Sequence, residues 1–191
     1  MFRITSIAAT ILVTTGVAAQ AADKAALAEE GKALMMAFGG TLKGELQAAM
    51  KAGGPVNAIQ VCNVRAPEIA GKVSADSGWT VARSSHRIRN PENLADEYTN
   101  AVIDDFLARQ EAGEMAADLV SAEIVTEDGV EKFRLIKAIP TEEVCMNCHG
   151  GDNVKQAVVD KLAELYPSDD ARGFEVGQMR GVFTLTKMLG E

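Results

Sequence analysis

Cys145-Met146-Asn147-Cys148-His149 is the one stretch of the chain whose residue types and spacing point to a specific chemistry. Two thiols three positions apart can add to the two vinyl groups on one side of a haem ring, and the adjoining imidazole then faces the iron. The pattern implies one covalent haem c with His149 as axial ligand. A redox dithiol uses the same cysteine pair, but thioredoxin-like motifs stand early in a βαβ unit, and this one stands late in the chain. A structural zinc site needs four ligands, and only Cys62 and His86 remain to complete one.

The position opposite His149 has several candidates. Cys62 and His86 lead, Met179 and Met188 follow, and an open position would suit ligand binding or peroxidase work. A lone cysteine on a helix stripe is usually a small core residue. An unpaired thiol in an oxidising compartment is nevertheless a liability unless something protects it. The loop Arg83-Ser84-Ser85-His86-Arg87-Ile88-Arg89 gathers positive charge in a chain of formal net charge −8. Arg83, Arg87 and Arg89 are candidates to bind the haem propionates through charge-assisted hydrogen bonds, against the alternative of a solvated charge run. His86 reads as a polar loop residue.

These residues need elements to hold them. Residues 1–21 carry one positive charge, a short apolar run and Ala19-Gln20-Ala21, which reads as a signal peptide cleaved after Ala21. Residues 22–191 then form a single periplasmic domain with no later membrane segment. The acidic balance excludes nucleic acid and anionic lipid as partners. Leu27, Leu34, Phe38, Leu42 and Leu46 mark a long helix ended by Gly53-Gly54. A second helix follows, with Cys62 on its buried stripe and Pro67 kinking or breaking it. Trp79–Arg83 reads as a strand. A helix over Leu94–Gln110 has Tyr98, Val102, Phe106 and Arg109 in one lane. Leu119–Thr126 and Val130–Ile139 form a hairpin about Asp128-Gly129. Residues 153–165 make another helix and Met179–Met188 a last strand. The order implies an α+β domain, an antiparallel sheet packed by helices.

Several stretches together resemble a family of single-haem c-type proteins with a PAS-like sensor fold, first curated as a bacterial domain of unknown function. They are Ala58-Ile59-Gln60-Val61-Cys62 with Ala66-Pro67-Glu68-Ile69-Ala70, Arg89-Asn90-Pro91-Glu92-Asn93, the Cys145–Gly150 motif, Tyr166-Pro167 with Asp169, Ala171 and Gly173, and Gly177-Gln178-Met179-Arg180-Gly181. The resemblance spans nearly the whole mature chain. It implies a PAS-like sheet and Cys62 as the distal axial ligand, an uncommon His/Cys pair. Tyr98 departs from it, standing where the family pattern has Trp.

A haem in such a domain could serve a redox or small-ligand sensor, an electron carrier, or an enzyme acting on peroxide or nitrogen oxides. The PAS-like resemblance favours a sensor signalling through a protein partner. An occupied sixth position, and the lack of a second haem motif or a distal acid/base constellation in the sequence, argue against an enzyme. Thiolate ligation, which favours ferric iron, argues against a carrier.

Overall fold

The structure is a computed structural model that describes residues 15–189, with side chains from Asp23 onward. The expected signal peptide and its cleavage point lie outside the residues described with side chains. Among the described residues no helix is long and apolar enough to cross a membrane.

Helix α1 (Thr15–Gln60) is two helices end to end, because Gly54 has φ 72° and ψ −169° and Pro55 starts the next turn. Proline suits that place, since a helix's first turn has no use for its N–H. A π-turn, Val61–Arg65, follows and leads into α2 (Ala66–Ser77). Pro67 therefore does not break the helix as the sequence suggested. It sits in the first turn of α2, and the widened turn ahead of it, closed by Ala66 N–H to Val61 O, absorbs the clash its ring would make with the preceding turn. The extra residue also shifts the buried stripe. Val61 is buried in the core, and Cys62 is only half-buried.

Strand β1 (Thr80–Ser84) follows, then α3 (Glu97–Glu111), β2 (Val120–Glu127), β3 (Val130–Pro140), the short α4 (Met146–His149), α5 (Gln156–Leu165) and β4 (Met179–Leu189). The strands form one antiparallel sheet in the order β1-β4-β3-β2. The α+β architecture with a long N-terminal helix is as the sequence implied. The β2–β3 turn has positive φ at both Asp128 and Gly129, the geometry that matches strand twist.

Side chains alternate across β3, so the sheet has two apolar faces. Phe133 and Leu135 join Phe38, Leu42, Trp79, Val81 and Leu185 beneath α1 and α2. Ile136 and Ala138 join Ile103, Phe106, Leu119, Met179 and Val182 beneath α3. The buried lane of α3 is Thr99, Ile103 and Phe106. Tyr98 and Val102, placed in that lane by the sequence reading, pack at its margin, and Arg109 turns outward to Glu114. The shift follows from the helix start: Asp96 caps it, whereas Leu94, the expected first residue, is exposed.

Arg134 also lies on that face, buried. Its guanidinium donates to Asp96 and Glu127, each at 2.7 Å, and to Thr99 Oγ1 at 2.9 Å, and it stacks over Tyr98. Asp96 Oδ1 in turn accepts from Thr99 N at 2.7 Å. Burial opposes the Asp96 charge, but the hydrogen bonds from Thr99 and Arg134 outweigh it and hold its pKa below the ordinary value. A depressed carboxylate stabilises the fold above its unfolded pKa, and that stabilisation fades as pH falls through the folded value. Asp96→Ala should therefore cost about 1 kcal/mol or more at neutral pH. Chemical denaturation across pH should show the gap to wild type closing below the usual carboxylate range.

Candidate functional site

A cavity of about 460 Å³ opens between α1, the π-turn, the β1–α3 loop and α4. Cys62, Arg83, Arg87, Arg89, Cys145, Cys148 and His149 all line it. Thus the fold gathers the motif residues, Cys62 and the three loop arginines named from the sequence into one space. His86, Met179 and Met188 do not line it. Met179 is core and Met188 is exposed on the last strand.

The motif is positioned by the turn after β3. Glu143–Cys145 form a 3-10 turn running directly into α4, so Cys145, Cys148 and His149 lie on consecutive turns of one short helical segment. Gly150 ends it in extended conformation. A Cβ there would stand 2.7 Å from Met146 O and 2.8 Å from Asn153 Oδ1, so only glycine fits. Lys43 on α1 reaches across to Glu142 at 2.7 Å, tying the front of the motif to the long helix. Burial pushes the Cys148 thiol up to about 11, with nearby Cys62 and Cys145 adding to the shift.

Behind the motif, the segment 169–174 stitches it to the β1–α3 loop. Phe174 N donates to His149 O at 2.9 Å, Gly173 N to Gly150 O at 3.0 Å, and Asp170 N to Ile88 O at 2.9 Å. His149 Nδ1 meets Ala171 O at 2.8 Å. A carbonyl can only accept, so Nδ1 carries the proton and Nε2 keeps its lone pair. Burial, reinforced by Arg89, Arg180 and Arg83, holds the pKa of this imidazole well below the ordinary range.

The arginines divide into two groups. Arg89 is committed to protein acceptors: Asp169 Oδ1 at 2.9 Å, Cys148 O at 2.8 Å and Ala171 O at 3.0 Å. Its remaining nitrogen lies 3.4 Å from His149 Nε2. Arg87 stacks on Phe174, 4.8 Å from the ring centre, and approaches exposed Asp170 at 3.8 Å. Arg83 lies over the Phe38 ring without a carboxylate partner, and burial pushes its pKa down. Arg180, on the adjoining strand, lines the same cavity with a buried Nε that has no acceptor. Sequence reading gave no role to Arg180, Asp169 or Ala171. Arg180 stands apart from other charges in the sequence, and Ala171 contributes only backbone groups.

Gly181 brings these strands together. A Cβ there would fall 2.5 Å from Ser84 O, so β1 and β4 approach closely at the point where Arg83 and Arg180 enter the cavity. Tyr166, buried at the end of α5, completes the wall near Cys62, and both burial and that thiol raise its pKa.

The family model described as Tll0287-like matches residues 8–187. The chain belongs to the Tll0287-like family. The crystal structure of the cyanobacterial haem protein Tll0287 superposes with a TM-score of 0.64 at 21% identity, covering 85% of this chain and 96% of that one. At that identity the likeness carries the fold of the Tll0287-like chain, which it extends to nearly the whole of both proteins. No curated protein matches. The two matches accord with the haem-protein part of the resemblance read from the sequence.

Gly150→Ala should cost about 1–3 kcal/mol, the range for forcing atoms into a packed site. Thermal unfolding of purified protein would show the lowered midpoint.

Proposed function

We propose that the cavity holds one haem c, bound by thioether bonds to Cys145 and Cys148 and ligated by His149 and Cys62, in a periplasmic redox or small-ligand sensor that acts through a protein partner. Two half-buried cations without carboxylate partners carry this reading. Arg83 and Arg180 lie on neighbouring strands, face one cavity and pair with no carboxylate among the described residues. Two like charges so placed are costly unless an anion joins them, and the two propionates of haem supply two carboxylates.

The rest of the lining fits the same group. The motif side presents two thiols, and each adds across a vinyl double bond with sulfur on one carbon and hydrogen on the other. His149 offers Nε2 because Ala171 O holds its other proton. The half-buried Cys62 thiol lines the same space from the π-turn, and π-turns are frequent at functional sites. Leu42, Ile59, Leu162 and Phe183 give the apolar wall a porphyrin face requires. The similar cyanobacterial protein is a haem protein, which supports the assignment.

Haem supplies an iron whose charge changes by one electron. A thiolate at Cys62 would balance ferric charge better than ferrous, so with haem bound the Cys62 contact would be the one that responds to reduction. The π-turn carries Cys62 between α1 and α2, and its last residue, Arg65, is pinned to Glu45 and Glu68. A change at Cys62 therefore reaches the two helices that cover one face of the sheet. That gives a partner a shape to read.

Cys145→Ser with Cys148→Ser should abolish covalent haem, leaving no haem-stained band on a denaturing gel. Cys62→Ala should remove the low-spin thiolate signature from the electron paramagnetic resonance spectrum and let ferrous iron bind CO readily. An unchanged spectrum would make Cys62 a wall residue only. Arg83→Gln with Arg180→Gln should lower the thermal stability of the holoprotein and shift its reduction potential. If both quantities stay at wild-type values, these cations do not serve the propionates.

A further inference from the structure

Arg89 was expected to bind a propionate, and its geometry gives it other work. Its side chain and that of Asp169 are only 11% and 8% exposed, and they pair at 2.9 Å. Asp169 Oδ1 also accepts from Ala171 N at 2.9 Å, so the carboxylate fixes both the arginine and the backbone beside it. One Arg89 nitrogen then donates to two carbonyls. The first, Cys148 O, is among the last carbonyls of the short motif helix, which a helix end leaves without an intrahelical donor. The second is Ala171 O, which also receives the His149 Nδ1 proton.

A carbonyl oxygen has two lone pairs, and here a cation and an imidazole share them. The second partner of a ligating histidine sets its basicity: a strong acceptor draws on the Nδ1 proton and makes the ring a better donor at Nε2. A charge-assisted bond is roughly twice as strong as a neutral one. With Arg89 on the same oxygen, Ala171 O has less electron density left to offer the imidazole. Only a planar fork reaches carboxylate, motif carbonyl and shared carbonyl together, so lysine is no substitute.

We propose that Arg89, held by Asp169, is a positioning residue for His149 that limits the basicity of the imidazole through the carbonyl of Ala171. This rests on the reading of His149 as a haem ligand. It adds that the Arg89–Asp169 pair tunes the proximal side. The pair works against the distal thiolate, which pushes electron density onto the iron from the other face.

The test uses haem-loaded protein matured by export. In a Cys62→Ala background the ferrous iron is five-coordinate, and the iron–histidine stretching band is open to resonance Raman spectroscopy. Arg89→Gln should move that band to higher frequency and lower the reduction potential of otherwise wild-type protein. Arg89→Lys keeps a cation beside Asp169 but releases the shared carbonyl, so it should shift the band as Arg89→Gln does while lowering the potential less. A band unmoved in both variants, with haem retained, overturns the inference and leaves the haem reading intact. Wild-type protein without covalent haem overturns the haem reading itself. If neither arginine variant folds, Arg89 is a structural clamp, and the inference falls.

Discussion

The buried bridge from Arg89 to Asp169 joins three parts of the chain that are far apart in sequence. It links the loop after β1, the motif helix, and the irregular segment between α5 and β4, through one guanidinium and one carboxylate. Desolvating such a pair is expensive, and it is retained only where hydrogen bonds satisfy the remaining donors. Here the donors meet two backbone carbonyls that no other secondary structure would serve. This junction adds to the backbone bonds from Gly173 and Phe174 to the motif and from Asp170 to Ile88, which also hold the four-residue helix and the irregular segment in place.

Charge is distributed around that junction with a division of labour. Arg89 spends its charge inside the protein. Arg83 and Arg180 keep theirs for the cavity, and Arg87 lies between, stacked on Phe174. Phe174 in turn meets both His86 and His149 edge to face. His86 thus packs behind the site as support. A chain this acidic still concentrates cations at one place, and that pattern fits an anionic cargo better than a solvated surface.

Local signals were legible in the sequence, and signals that depend on distant partners were not. The motif, the Asp128-Gly129 hairpin and the Gly53-Gly54 break are written within a few residues, and the structure has each where the sequence put it. The lane of α3 agrees at Phe106 but runs through Thr99 and Ile103 instead of Tyr98 and Val102. In sequence, Pro67 reads as a kink or a break because proline removes a helix hydrogen bond. The chain took a π-turn instead, since α1 and α2 both had apolar surface to keep on the same sheet face. Arg89 looked like its neighbours Arg83 and Arg87 in sequence. Only the fold shows that its partner lies 80 positions away.

The placement of Cys62 also bears on how a signal could leave the site. On the haem reading, three attachments of the group come from one helical segment, Cys145 to His149, which the Arg89 junction fixes in place. The fourth comes from the π-turn, a different element with its own bracing to α1 through Arg65 and Glu45. The two attachments differ in kind, since thioether bonds do not respond to the oxidation state of iron and a thiolate bond does. Any change at the metal is therefore taken up on the π-turn side. A π-turn is a local departure from α-helical geometry that is frequent at functional sites. On the haem reading, the motif helix and the π-turn would thus hold the group from different elements across the same cavity.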